Sequence, residues 1–381
     1  MINTNPTAKG NSHTILTDGS RLITEALARA GADIFIGYPI TPANLIYQYA
    51  LNRFDAFLAA PDEISALQWM CGFSASGKLP VTATSFPGYA LMLESVNMAY
   101  MMELPMVIIL VQRLGPATGT ATCGAQGDLA LINGSISGGY AIPTFSISNT
   151  IDCWEMSAKA LETAVTLRSP VILLTSKEEV MTLLSFERTR LNPIDRVNRP
   201  HYAGPEPYMP YQPSNDLVPP FLSLESDEHQ VRLTASTHNK AGILQNKTPE
   251  ALENTRRLHH KAVQNLDRYF HFDYDEQEGA DTLLVSYGIT ARAAVEATQK
   301  LRSEGQKLSL LVVKTLLPVS DRVYEIAGRY KKVYIAEENL TGQYRQILFG
   351  SRPPENIRGI NKVGKMIRPK EIMEEISNER N

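Results

Sequence analysis

Four short stretches of this sequence hold residue types suited to organic-acid chemistry. In Gln112-Arg113-Leu114-Gly115-Pro116-Ala117-Thr118-Gly119-Thr120-Ala121-Thr122, one arginine leaves a wholly apolar run and enters a loop of Gly, Thr and Pro. Arginine offers a planar, permanently charged fork that matches a carboxylate. The small residues around it leave room for an organic acid, although pairing with a structural carboxylate or loop carbonyls would account for the same arginine. In Gly37-Tyr38-Pro39-Ile40-Thr41-Pro42, two prolines stiffen the backbone and aim the Thr41 hydroxyl. A plain helix start, with Thr41 as N-cap and Pro42 in the first turn, would read the same way. Thr82-Ala83-Thr84-Ser85-Phe86-Pro87-Gly88 suits close backbone approach to a ligand and suits a helix cap almost as well. It carries neither G-x-G-x-x-G nor G-x-x-x-x-G-K-[ST], the phosphate-cradling patterns. Finally, Asp62-Glu63-Ile64 opens a helix. Carboxylates there ordinarily serve the helix dipole, but Glu63 leads into Ile64, Ala66, Leu67, Trp69 and Met70, an apolar helix expected to be buried. A carboxylate at its edge can share a proton with a ligand nitrogen.

The elements that must position these residues alternate. Candidate strands are Asp33–Gly37, Ala56–Ala60, Val81–Ser85, Met106–Gln112, Thr144–Ser148 and Val171–Ser176, with helical patterns over Arg21–Ala30, Pro42–Arg53, Asp62–Ser74, Tyr89–Glu103 and Asp152–Arg168. Strands apolar on both faces and alternating with helices predict a doubly wound parallel α/β sheet over residues 1–190. Residues 191–275 break the rhythm. The stretch Arg199–Pro220 is dense in Pro and Tyr, which excludes regular helix and central strand, and it reads as an ordered connection over a surface, followed by a helix from Pro249 to Asp267. Residues 276–381 predict a second, smaller α/β domain, with a strand from Asp281, a helix over Thr290–Ser303, a strand over Leu308–Leu317, a helix over Asp321–Tyr330 and a strand over Lys332–Glu337.

The bulk numbers exclude several function classes. At 381 residues, 43% hydrophobic and 20% charged, the chain has ample material for a sizeable core. Its 37 Lys plus Arg against 40 Asp plus Glu do not favour nucleic acid as a partner. Cys71, Cys123 and Cys153 lack C-x-x-C spacing, so no cluster or zinc ribbon is encoded, and reduced, mostly buried thiols are expected. His201, His238, His259 and His260 read as surface or interface residues rather than metal ligands. The opening MINTNPTAKGNSH has no signal pattern and no apolar run reaches membrane length, so a cytoplasmic protein is expected.

Y-P-I-T-P, the D-E-I helix start, T-A-T-S-x-P-G with L-M-x-E after it, and Q-R-x-G-P-x-T-G with Q-x-D-L after it resemble the alpha subunits of 2-oxoacid:ferredoxin oxidoreductases, especially the 2-oxoglutarate type. Towards the C-terminus S-Y-G-I-T, Ala336–Gln343 (AEENLTGQ) and G-K-M-I-R-P-K-E-I are similar too. The resemblance covers nearly the whole chain with its motifs in order. It implies a thiamine-diphosphate pyrimidine-binding domain followed by a transketolase C-terminal-like domain. By the same resemblance, Glu63 matches the glutamate that hydrogen-bonds N1′ of the thiamine aminopyrimidine and favours its imino tautomer, whose nitrogen generates the thiazolium ylid. Thr41, Arg113 and Thr122 match positions that hold the substrate carboxylate or line the site, and Tyr38, Pro39 and Ile40 lie in the matching cofactor-facing loop. The implied reaction is CoA-dependent oxidative decarboxylation of a 2-oxoacid to its acyl-CoA, with electrons passed through iron–sulfur clusters to ferredoxin.

The superfamily's diphosphate and Mg²⁺ site begins with G-D-G, which is absent here. The resemblance therefore implies a beta subunit supplying the diphosphate site, Mg²⁺ and the nearest [4Fe-4S] cluster, with separate gamma and ferredoxin-like delta subunits. Two departures bear on the substrate. Phe86 stands where the family commonly has the first Gly of T-S-G-P-G, and Gly119-Thr120-Ala121-Thr122-Cys123-Gly124-Ala125-Gln126 replaces G-L-P-T-K-T-E-Q, losing a Lys and a Glu. 2-Oxoglutarate is favoured, and branched-chain or aryl 2-oxoacids stay open. Two rivals share the fold: a non-redox decarboxylase or synthase split over two chains, and a non-catalytic scaffold subunit, which would need none of Glu63, Thr41 and Arg113.

Overall fold

The computed structural model describes residues 13–378. In chain order its first part runs β1 (Thr14–Thr17), α1 (Gly19–Ala30), β2 (Ile34–Gly37), α2 (Asn44–Leu51), β3 (Ala56–Ala59), α3 (Glu63–Ala75), β4 (Pro80–Thr84), α4 (Phe86–Met101), β5 (Met106–Gln112), α5 (Leu129–Asn133), β6 (Thr144–Ser146), α6 (Thr150–Leu167), β7 (Pro170–Ser176), α7 (Lys177–Met181) and β8 (Leu184–Glu187). An irregular segment leads to α8 (Pro249–Gln264). Then follow β9 (Phe272–Asp275), β10 (Thr282–Ser286), α9 (Thr290–Ser303), β11 (Ser309–Val313), β12 (Thr315–Leu317), α10 (Asp321–Ala327), β13 (Lys332–Glu337), α11 (Gln343–Phe349), β14 (Ile357–Asn361) and α12 (Pro369–Asn378).

β5 and β7 are buried at every residue and pair in parallel from Met106↔Pro170 to Gln112↔Ser176. Their side chains divide with the period of two that a strand imposes. Ile108 and Leu110 join a core shared with Val285 and Leu311 of the second sheet and with Tyr287 just past β10. Val107, Ile109 and Val111 pack on the other face, against Ile23, Leu27, Leu161 and Ala164 of α1 and α6. A sheet covered on both faces is what apolar parallel strands require. The seven strands order as β12-β6-β7-β5-β4-β2-β3, all parallel except β12 against β6. After β2 the chain first adds β3 on one side and then β4 on the other, so the winding reverses there. Crevices at such reversals, beyond the carboxyl ends of the strands, are where open α/β sheets take ligands.

The smaller sheet orders as β14-β13-β10-β11-β9, with β9 antiparallel. The run Leu308–Leu317, expected as one strand, is two. It breaks at Lys314, whose ammonium pairs with Asp152 (2.9 Å) and Asp273 (2.8 Å), and β12 crosses to the edge of the first sheet. A cation in mid-run needs counter-charges, and these lie where the two sheets meet.

The Pro/Tyr-rich connection is fastened down. Arg168 Nη1 donates to the carbonyls of Pro210, Pro219 and Pro220, and Tyr208 and Tyr211 are buried. His238, expected at a surface or interface, is fully buried within the chain, with its ring 3.8 Å from that of Tyr211 and its Nδ1 2.6 Å from the Ser236 carbonyl oxygen. Beneath the connection, Glu103 at the end of α4 meets Arg257 and Lys261 of α8. Lys261 Nζ donates to Glu103 Oε2 at 2.6 Å, and both terminal guanidinium nitrogens of Arg257 donate to the same carboxylate. Cys71, Cys123 and Cys153 are free thiols. Among the described residues, no helix is long and apolar enough to cross a membrane.

Candidate active site

The carboxyl ends of β2, β3, β4 and β5 lie along one edge of the first sheet, and the four segments singled out from the sequence follow them. Asp62 caps α3, accepting from Ser65 N at 2.7 Å, which leaves Glu63 as the first helical residue. Glu63 is buried and its carboxylate is pressed against α4. A Cβ added to Gly88 would fall 2.6 Å from Glu63 Oε1 and 2.1 Å from Thr84 Oγ1. Only glycine permits that approach. Ser85 caps α4 without a side-chain hydrogen bond, and neither the Ser85 hydroxyl nor that of Thr82, both buried, has a partner. Buried polar atoms are normally paired, so these two hydroxyls at the end of β4 are exceptions.

Arg113, buried at the end of β5, donates from Nη1 to the Thr41 carbonyl oxygen at 2.6 Å, while its buried Nε has no partner. The two residues are thus brought together, through the Thr41 backbone. Thr41 is not a helix cap, since α2 starts at Asn44. Tyr38 and Pro39 are exposed just past β2, and Ile40 packs partly against the core. Thr122 is exposed on a loop closed by the Leu114↔Thr120 bridge and by Leu114 N donating to Cys123 O at 2.7 Å.

Sequence reasoning missed two residues here. Gln126, fully buried, ties the Arg113 loop to the second domain. It donates from Nε2 to Tyr287 O (2.8 Å), and its Oε1 accepts from Thr290 Oγ1 (2.5 Å) and Glu338 N (2.8 Å). The S-Y-G-I-T and A-E-E-N-L-T-G-Q motifs are thereby accounted for, because they build this clasp. Asp128 is also buried, beside Arg113, and burial pushes its carboxyl up to about 7 against the pull of that guanidinium. The Q-x-D-L pattern was the available signal for both.

The edge thus brings together a buried carboxylate, Glu63, and a buried guanidinium, Arg113. A family model described as pyruvate flavodoxin/ferredoxin oxidoreductase, thiamine diphosphate-binding, matches residues 25–259. The chain belongs to that family. A transketolase C-terminal domain model matches residues 274–343, covering β10, β11 and β13. Among relatives in the family, the chain is 29% identical over 366 residues to 2-oxoglutarate synthase subunit KorA of Methanothermobacter thermautotrophicus, covering 93% of this chain and 96% of that one. It is 27% identical over 370 residues to ketoisovalerate oxidoreductase subunit VorB of the same organism, covering 95% of this chain and 97% of that one. It also resembles the structure of 2-oxoglutarate:ferredoxin oxidoreductase from Magnetococcus marinus with 2-oxoglutarate, coenzyme A and succinyl-CoA bound. There the TM-score is 0.90 at 27% identity, over 97% of this chain and 66% of that one. The doubly wound α/β fold expected of a pyrimidine-binding domain, with a smaller α/β domain after it, is the family's architecture.

Proposed function

We propose that this chain is the alpha-type subunit of a 2-oxoacid:ferredoxin oxidoreductase, contributing the pyrimidine half of a thiamine-diphosphate site to CoA-dependent oxidative decarboxylation, with 2-oxoglutarate the favoured substrate. The observation that carries the reading is the convergence, at one sheet edge, of the buried Glu63 carboxylate and the Thr41-anchored Arg113.

The residues fit the aminopyrimidine end of the cofactor. Glu63 would hold a ring nitrogen, with the unpaired hydroxyls of Thr82 and Ser85 as nearby polar partners. Thiamine diphosphate, when bound, supplies the nucleophilic carbon that attacks the 2-oxo group. The task of Glu63 is to keep a proton at the ring nitrogen, and burial keeps water from competing for it. Arg113, with one nitrogen committed to Thr41 O, would offer its remaining N–H groups to the substrate carboxylate. Tyr38, Pro39, Ile40 and Thr122 we assign to the mouth of the pocket.

The lack of a G-D-G start leads us to assign the diphosphate, Mg²⁺ and a [4Fe-4S] cluster to a beta-type partner, with gamma and delta subunits and ferredoxin completing electron transfer. An uncovered apolar face supports a partner at this edge. On α3, Ile64 and Trp69 share the outward face with Gln68 and Gly72, while Leu91 on the neighbouring α4 is 52% exposed. Contiguous exposed apolar patches mark interaction surfaces. Cytoplasmic localisation accords with this chemistry.

The test is an assay of the complex co-purified with its beta-type partner, reading CoA-dependent reduction of a viologen dye with a panel of 2-oxoacids. Reduction that needs added thiamine diphosphate and is fastest with 2-oxoglutarate is expected. A different preferred acid would correct the substrate. Decarboxylation without dye reduction would turn the reading to a non-redox lyase, and no turnover of any 2-oxoacid would leave a scaffold subunit.

A further inference from the structure

We propose that Asp128 is a positioning residue for Arg113, a buried carboxyl whose charge state sets how strongly that guanidinium takes the carboxylate of a 2-oxoacid; this rests on the reading of Arg113 as the carboxylate anchor. The backbone around Asp128 is fixed with unusual care. Besides the Gln126 clasp, Gly127 O accepts from Gln343 Nε2 at 2.7 Å and Ala130 N donates to Gln343 Oε1 at 2.8 Å, so the second domain grips both sides. Asp128 N also reaches Gln112 Oε1 at 3.4 Å, linking it to the neighbour of Arg113. Yet the Asp128 side chain does not cap α5, and its buried Oδ2 has no hydrogen-bond partner among the described residues. At 5% exposure, such a carboxyl is costly to leave unpaired.

Arg113, next to the Gln112 that Asp128 N reaches, has the matching deficit: its Nε is buried without a partner, and no ion pair joins it to Asp128 among the described residues. The groups facing Asp128 are Arg113 from the end of β5 and Tyr287 from the second domain, whose hydroxyl points at Glu337 Oε2 (3.4 Å). Arg113 is the cation among them, and burial outweighs its pull, so the carboxyl takes up its proton near neutrality, at about 7.

An ionised Asp128 competes with a substrate carboxylate for Arg113, whereas a protonated one does not. Substrate binding is therefore linked to proton uptake. In the wild-type complex KM for the 2-oxoacid should rise above neutral pH, approaching about tenfold per pH unit for one linked proton. In Asp128→Asn, which keeps the shape without the charge, KM should stay flat.

The experiment measures kcat and KM for the fastest 2-oxoacid across neutral pH in three complexes: wild type, Asp128→Asn and Arg113→Lys. Infrared spectra of wild type and Asp128→Asn over the same pH range accompany the kinetics. The inference expects a flat, low KM in Asp128→Asn and a protonated-carboxyl band that titrates in wild type and is missing from the variant. An Asp128→Asn profile parallel to wild type overturns it, even if Arg113→Lys raises KM as the anchor reading requires. An unchanged KM in Arg113→Lys defeats the anchor reading instead. Should Asp128→Asn fail to assemble, Asp128→Ser takes its place in the same series, and a KM profile that rises with pH as in wild type overturns the inference.

Discussion

Two buried carboxylates, Glu103 and Asp128, show what burial does with and without partners. Both lie in the first domain, after α4 and before α5, and both are close to inaccessible. Glu103 receives Arg257 and Lys261, each with its own further bonds: Arg257 to Asn254 Oδ1 and Leu217 O, Lys261 to the Arg168 carbonyl oxygen. Burial alone would raise its pKa, but the two cations win and hold it at about 2. Asp128 faces one guanidinium that is already committed to Thr41, and there burial wins. A satisfied buried charge holds the molecule together. An unsatisfied one, held ahead of α5 by a clasp from another domain, is the kind of group that we propose tunes Arg113.

The comparison breaks if the two regions respond alike to the same kind of change. Glu103→Gln leaves Arg257 and Lys261 buried without their counter-charge and should cost about 3–5 kcal/mol in urea unfolding. Glu63→Gln, at the other end of the same α3–α4 pair, should leave the unfolding midpoint nearly unchanged. The pH dependence follows from the sign of the Glu103 shift. Its pKa is depressed on folding, so its contribution is complete above the ordinary carboxylate range and is lost as pH falls towards about 2. Acid titration of wild type against Glu103→Gln should show the difference in stability shrinking through that window.

Gly88→Ala probes the edge itself. The new methyl would collide with Glu63 and Thr84, costing about 1–3 kcal/mol by overpacking. Displacing the Glu63 carboxylate should lower turnover by about 10²-fold. Turnover near wild type would show that Glu63 does not need its present position. The smallest effect is expected at Thr122, exposed on its loop. Thr122→Ala should raise KM by only about fivefold, the loss of one hydrogen bond worth about 1 kcal/mol. A larger change, read from saturation kinetics, would mean that the loop closes over the substrate.

Much of the framework was legible because apolar runs left one choice. β5 and β7 could only be buried parallel strands, and the Lys332–Glu337 and Thr290–Ser303 elements fell where their periods put them. Glu63 stood out through the apolar helix it heads and through the D-E-I motif, although a first-turn carboxylate ordinarily serves the helix dipole. The start of α4 was read three residues late, since Pro87 looked like a loop residue although the first helical turn accepts proline. The split at Lys314 was hidden because both halves of the run are apolar and only the tertiary partners Asp152 and Asp273 reveal the crossing. Gln126 and Asp128 showed in the sequence only as the Q-x-D-L pattern, with no role attached, for a similar reason. Their meaning comes from a second domain that approaches them across more than 150 residues of sequence.

The central claim is that Glu63 and Arg113 serve the two ends of one reaction site, and kinetics of the partnered complex test it most directly. With saturating thiamine diphosphate, kcat and KM would be measured for wild type, Glu63→Ala and Arg113→Ala. The account predicts that Glu63→Ala loses turnover by roughly 10²–10⁴-fold at any 2-oxoacid concentration. Arg113→Ala should mainly raise KM, as expected when uniform binding of a carboxylate is removed. Wild-type constants in both variants would contradict it.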